Sequence, residues 1–213
     1  VSEIIFGKVS DLNDPDGLGR IEVEIQGYSE STKIGWVRVI TPAGGDKQGW
    51  VWLPNKDEEV VLLKAGDSAN HMIVLGAVYN GTWKPEKTAT DKGLDTRLMR
   101  TPTGHLLEFF DGKDKGKGSI SIVTADETLK IVLDEAAKAI TIEGTKKLDI
   151  QFPDGTVNVE CKEAVVKCSA NATVEAKEVT IKGSTKCTVV VGGNKVEVAS
   201  AGVTIKGSMV KIN

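Results

Sequence analysis

A chain of 213 residues with 40% hydrophobic and 27% charged residues has the composition of an ordinary globular protein of one or two domains. A formal net charge of −3, a pI near 5.6 and only 5% aromatic residues argue against a nucleic-acid binder, which needs a basic groove and stacking platforms. The longest apolar run, Met72 to Tyr79, is too short to span a bilayer, no signal peptide is visible and helical periodicity is nearly absent.

Residues 1–83 read as one unit. Ile4 to Val9 is a strand, Asp14 to Gly19 a turn, and Arg20 to Ile25 a returning strand with clean alternation. Gly35 to Ile40, Trp50 to Leu53, Glu59 to Leu63 and His71 to Tyr79 follow, with a glycine-rich loop from Pro42 to Gly49. Five or six strands without a helix predict a small Greek-key barrel of the OB type. Trp36, Trp50, Trp52 and Trp83 are candidate stacking residues for an oligosaccharide or nucleic acid, although alternation places some of them in a barrel or interchain core.

Chemistry-bearing motifs are sparse. Asp11, Asn13, Asp16 and Glu22 faintly resemble a calcium loop, but Pro15 and Asp16 stand where a ligand and the turn glycine are needed, so no metal is expected. His71 and His105 fall in different domains and read as structural. Without a nucleophile elbow, a phosphate-binding loop or His-Glu-x-x-His, neither catalytic residues nor a cofactor are expected.

Residues 84–98 read as a linker, since Lys84 to Gly93 is polar, aperiodic and contains one proline. Residues 99–213 form a second region, entered through Met99-Arg100-Thr101 and Leu106 to Phe110 and interrupted by the charged loop Asp111 to Gly118. From Leu129 onward short alternating cores recur about every eight residues: 130–133, 140–142, 148–150, 157–159, 165–168, 173–174, 179–181, 187–189, 196–198, 203–205 and 210–212. Asp134 to Lys138 reads as a turn between two of them.

Eight residues hold one strand and a tight turn, leaving nothing for a crossover, and most joints lack a two-residue hairpin signal; Asp154-Gly155 and Gly192-Gly193 are the exceptions. One chain therefore supplies one face of a prism at a time. Three identical chains close it, each strand pairing with its two sister chains, and closure removes the exposed lateral edges. This predicts a trimeric, intertwined, triple-stranded β-helix stem with Val157, Val159, Cys161, Cys187, Val189, Val203 and Ile205 in the trimer core. Cys161, Cys168 and Cys187 read as small apolar residues at inward positions; zinc ligation and an interchain disulfide are the other readings, and no Cys-x-x-Cys spacing supports them. At the end of such a prism the last rung, with Met209, Val210, Lys211, Ile212 and Asn213, leaves backbone groups and core ends facing water, which predicts a docking site for a capping protein.

Gly7-Lys8-Val9, Asp14-Pro15, Gly19-Arg20-Ile21, Trp36 to Val39, Glu58 to Val61, Gly66-Asp67, Val74 to Tyr79, Arg100 to His105, Glu108 to Asp111 and Gly202 to Gly207 resemble, in this order, the phage baseplate assembly protein V and VgrG spike family. Lys56-Asp57-Glu58 and Leu63 depart from its pattern. The resemblance implies an all-β protein: an N-terminal OB-fold barrel, then the β-helical stem. It implies a membrane-puncturing central spike of a contractile injection particle, seated on a baseplate hub protein, tipped by a PAAR-type protein and meeting the target cell envelope transiently. Such a protein is made in the cytoplasm without a signal peptide and built into an injection particle or virion baseplate. It is not an enzyme and does not bind nucleic acid. A carbohydrate-acting β-helix enzyme needs long coils forming a cleft, and an OB-fold oligosaccharide or nucleic-acid binding module is the remaining alternative.

Overall fold

The computed structural model describes residues 2–26, 31–66, 71–87 and 95–211. The chain divides into two compact units, Val1–Ile150 and Gln151–Asn213.

The first unit opens with strands β1 (Ser2–Asp11), β2 (Ile21–Gln26) and β3 (Ser31–Val39), a two-residue ribbon of β4 (Gly44–Gly45) and β5 (Gln48–Gly49), and then β6 (Glu59–Ala65) and β7 (Met72–Ala77). Five of these close a barrel in the order β1-β2-β3-β7-β6. β1 is long enough to pair with β2 on one side and β6 on the other, and the parallel β3–β7 pairing, Arg38 with Ile73 and Val39 with Val74, completes the circuit. This is the Greek-key barrel that the alternating pattern predicts. Trp50 to Leu53, read from the sequence as a strand, forms none. Its first amide instead donates to the Ala43 carbonyl at 3.0 Å, closing the base of the β4–β5 ribbon.

The alternate inward positions of the barrel, Val9, Ile21, Val23, Val37, Val60, Leu62, Met72 and Val74, are the fully buried hydrophobic residues among those described. Packing at the centre is tight. A Cβ on Gly7 would lie 2.6 Å from Val23 Cγ1 and 3.1 Å from Leu62 Cδ1, so this inward position tolerates only glycine without displacement of its neighbours.

Strands β8 (Thr96–Arg100), β9 (Leu106–Phe110), β10 (Ser119–Val123), β11 (Lys130–Asp134) and β12 (Ala139–Glu143) form an antiparallel meander within the same unit, in the order β12-β11-β10-β9-β8. β8 starts inside the stretch read as a linker, whose residues 88–94 lie outside the described ones. The second unit contains one further meander, β13 (Lys186–Val191), β14 (Asn194–Ala199) and β15 (Gly202–Lys206).

In residues 130–143 and 186–206, then, consecutive strands pair with each other, where the repeat spacing predicts pairing only to sister chains. The reversals use signals that dipeptide rules miss. Glu127 and Lys138 take φ of 56° and 52°, a region non-glycine residues seldom enter. Asp126 Oδ1 accepts bonds from the Thr124 and Thr128 hydroxyls at 2.7 and 3.0 Å, and Asp134 Oδ1 accepts the Ala137 amide at 2.9 Å, locking both turns. The expected turn at 134–138 and the two-residue Gly192-Gly193 hairpin, with Val191 opposite Asn194, both form.

Candidate interaction surfaces

Register fixes which side chains share a face. Across the five-stranded sheet Met99 lies opposite Leu107, Leu107 opposite Ile122, Ile122 opposite Ile131 and Ile131 opposite Ile142. The next row on that face is Arg97, Phe109, Ile120, Leu133 and Ile140. The opposite face is mixed, with Leu98, Glu108, Ser121, Val132 and Thr141 in one row, Arg100, Leu106, Val123, Lys130 and Glu143 in another, and Thr96, Phe110, Ser119, Asp134 and Ala139 in a third. One face is thus apolar apart from Arg97, and among the described residues it stays largely open: Ile140 is 74% exposed, and even Ile131 in the middle of the sheet is 39% exposed.

The β13–β15 sheet repeats the arrangement. Cys187 pairs with Val198 and Val198 with Val203; Val189 pairs with Val196 and Val196 with Ile205. Four of the residues assigned to a trimer core from the sequence, Cys187, Val189, Val203 and Ile205, therefore share one face, while Lys186, Thr188, Lys195, Glu197 and Lys206 occupy the other. Glu197 lies below its usual titration range because Lys195, and then the Thr188 hydroxyl, bond to its carboxylate. The other three, Val157, Val159 and Cys161, fall in residues 144–185, where no strand forms and every residue is exposed. Between Lys138 and Gly192 no residue adopts a positive φ, and the turn closed by the Gly155 amide on the Phe152 carbonyl at 3.1 Å is flanked by no paired strands. Met209, Val210 and Lys211 are exposed, Met209 and Val210 line one groove with Val191, Val196 and Ile205, and Ile212 and Asn213 lie outside the described residues.

The β1–β2 turn of the barrel is built around Asp14, whose side chain is 5% exposed. Arg20 donates through Nε to Oδ2 at 3.0 Å and through Nη2 to Oδ1 at 2.6 Å, while the Leu18 and Arg20 amides reach Oδ2 and the Asp16 amide reaches Oδ1. The Arg20 guanidinium holds the Asp14 carboxyl far below the usual carboxylate range and is itself pushed up. The carboxylates of the faint calcium-loop pattern point to other partners. Asp11 caps the Leu12 and Asn13 amides, Asp16 pairs with Arg20, and Glu22 accepts from Ser10 and Lys33.

A proton bound at Asp14 opposes folding, since its carboxyl ordinarily titrates near 3.8 and titrates lower in the barrel. Its contribution is fully present above about pH 4 and is lost as pH falls through the folded value. Asp14→Asn is expected to flatten the acid limb of barrel stability between about pH 4 and pH 2, read by urea unfolding at each pH. An acid limb identical to that of the native chain would remove Asp14 from this role.

At one end of the barrel Leu18, Ile40, Trp50, Trp52 and Tyr79 line a groove with Met99 and Arg100. Trp36 is half-buried, Trp50, Trp52 and Trp83 are exposed, and none of the four joins the buried core of the barrel, which leaves an interchain core as the other position that alternation allows. His105 Nδ1 accepts the Ala125 amide at 3.2 Å, tying the β8–β9 turn to the β10–β11 turn, whereas His71 is exposed at the start of β7. Cys161 and Cys168 are exposed and Cys187 is half-buried, all as free thiols. No group of three or more metal-ligating side chains converges among the described residues, and no helix among them is long and apolar enough to cross a membrane.

The sequence reading did not single out the Met99, Leu107, Ile122, Ile131, Ile142 row. Its signal was the alternation in Ile120-Ser121-Ile122 and Ile131-Val132-Leu133, but pairing register was needed to show that the rows align.

A search of curated proteins finds no match to this chain. Residues 5–79 match the family described as the type VI secretion system/phage-baseplate injector OB domain. These limits run from within β1 to just past the end of β7 and include the barrel's buried core and its Asp14–Arg20 turn. The N-terminal barrel is therefore similar, in sequence and in its closed five-stranded topology, to the type VI secretion system/phage-baseplate injector OB domain.

Proposed function

We propose that this protein is the central, membrane-puncturing spike of a contractile injection particle, with a structural and not a catalytic role in the baseplate. It acts as a homotrimer whose barrels, residues 1–83, seat on a hub protein and whose residues 99–213 form the stem. The observation that carries this reading is the open apolar face on each C-terminal sheet, in a chain whose buried hydrophobic residues, among those described, all lie in the barrel. Nine apolar side chains on the β8–β12 face, buried against sister chains, would contribute on the order of 10 kcal/mol per chain. That is enough to order a sheet that a lone chain leaves half solvated.

The stretch 144–185 supports the same reading. Alternating cores without intrachain strand partners suit three interwound chains, in which each strand finds its ladder in two sisters. The refined stem has three sections, two in which each chain contributes a whole sheet as one wall and, between them, one in which the chains interlace. A PAAR-type protein caps the end formed by residues 209–213, where Met209 and Val210 extend the apolar surface of β13–β15.

Sedimentation velocity with light scattering tests assembly: the expected mass is three times the 22.7 kDa of the chain. A stable monomer at micromolar concentration would overturn the proposal. In the same assay, deletion of Met209 to Asn213 should leave the trimer and abolish co-purification with the PAAR-type protein encoded alongside it; retained binding would place the tip site elsewhere.

A further inference from the structure

We propose that the segment Trp50–Leu53 of each barrel closes the barrel-proximal end of the stem's apolar core by packing against neighbouring copies of this chain. The inference rests on the trimeric reading and adds to it a definite contact, made by a segment outside every strand.

The segment is held and exposed at once. The Trp50 amide donates to the Ala43 carbonyl, and the Thr41 hydroxyl donates to the Trp50 carbonyl at 2.6 Å. Gly49, at φ 133°, lets the two arms of the loop approach so closely that a Cβ there would lie 2.2 Å from the Ala43 oxygen. A backbone fixed this firmly would be expected to shelter its apolar side chains, yet Trp50 is 51%, Val51 86% and Trp52 47% exposed. With Leu18, Ile40 and Tyr79 beside them, all three exposed, they form one apolar cluster outside the barrel core, the kind of surface that partners cover.

Continuity identifies the occupant. β8 is the edge strand of its sheet, and beyond that edge on the apolar side stands Trp52. Trp52 and Met99 line both the groove at the barrel end and the groove that runs over Leu107, Ile122 and Ile131. The indole thus extends the face that the trimer turns inward by one more row. Three copies of that row, brought together by the sheets below them, shield the top of the core from water. A hub protein that meets only the barrels would leave the row next to β8 wet.

Trp52→Ala and Trp52→Phe in the full chain test this by mass, amide exchange and acrylamide quenching. In the trimer, Trp52→Ala should keep the trimeric mass and accelerate exchange of the β8 and β9 amides by at least about tenfold, with Trp52→Phe restoring most of the protection. The quenching difference between native chain and Trp52→Phe should show a shielded indole in the trimer without any hub protein. A native chain that is monomeric overturns the trimeric reading and this inference together. A trimer whose β8 and β9 exchange is unmoved, or whose Trp52 is quenched as readily as a free indole until hub protein is added, overturns this inference and leaves the trimer standing.

Discussion

Ile131→Asp is expected to leave the protein monomeric, whereas Thr141→Asp, on the opposite face one strand away, is expected to leave the trimer intact. Ile131 sits in the central row of the apolar face, between Ile122 and Ile142, so three copies of the variant place three carboxylates inside one dry core. Each unpaired buried carboxylate costs several kcal/mol even after relaxation, and the three repel one another, for a total on the order of 10 kcal/mol per trimer. Thr141 pairs with Val132 on the face that also carries Glu108, Lys130 and Glu143, where another carboxylate stays in water. Sedimentation of both variants decides the matter. Equal behaviour would mean that this face does not turn inward, and a monomeric Thr141→Asp would point to the other face.

Val159→Asp carries the second large effect, and it addresses the stretch without intrachain pairing. Val157, Val159 and Cys161 fall on one side of an alternating run, and Asn158 and Glu160 fall on the other. Val159 is 80% exposed in the single chain, so within one chain the substitution touches nothing. In an interlaced trimer it buries charge in the core, and weakening of association by at least about a hundredfold, close to 2.7 kcal/mol, is expected. Asn158→Asp is expected to be silent. Dissociation kinetics of mixed tagged and untagged trimers would read the difference. If Val159→Asp exchanges subunits no faster than the native chain, residues 144–185 do not interlace in this phase.

The sequence was most informative where alternation and burial agree. Arg20-Ile21-Glu22-Val23-Glu24-Ile25 declares a strand with one wet face, and Ile21 and Val23 are fully buried in the barrel it joins. Alternation said less about partners. Lys130 to Leu133 and Ile140 to Ile142 were legible as strands, yet their pairing with each other depended on Lys138 adopting a left-handed backbone, which no dipeptide signal announces. Trp50-Val51-Trp52-Leu53 has the β-branched and aromatic content of a strand, but its edge is taken by the ribbon closure at Ala43 and no neighbour is in place to pair with it. The surface centred on Trp52 was invisible for a related reason, since it is assembled from separate segments of the chain between Leu18 and Arg100.

The Gly7 position has a bearing on transport. A barrel in which one added methyl group would collide with Val23 and approach Leu62, and whose inward side chains are wholly buried, has no lumen. Nothing passes along its axis, neither an unfolded polypeptide nor a strand of DNA. If the proposed spike role holds, cargo delivered past this subunit travels outside the barrel and not through it.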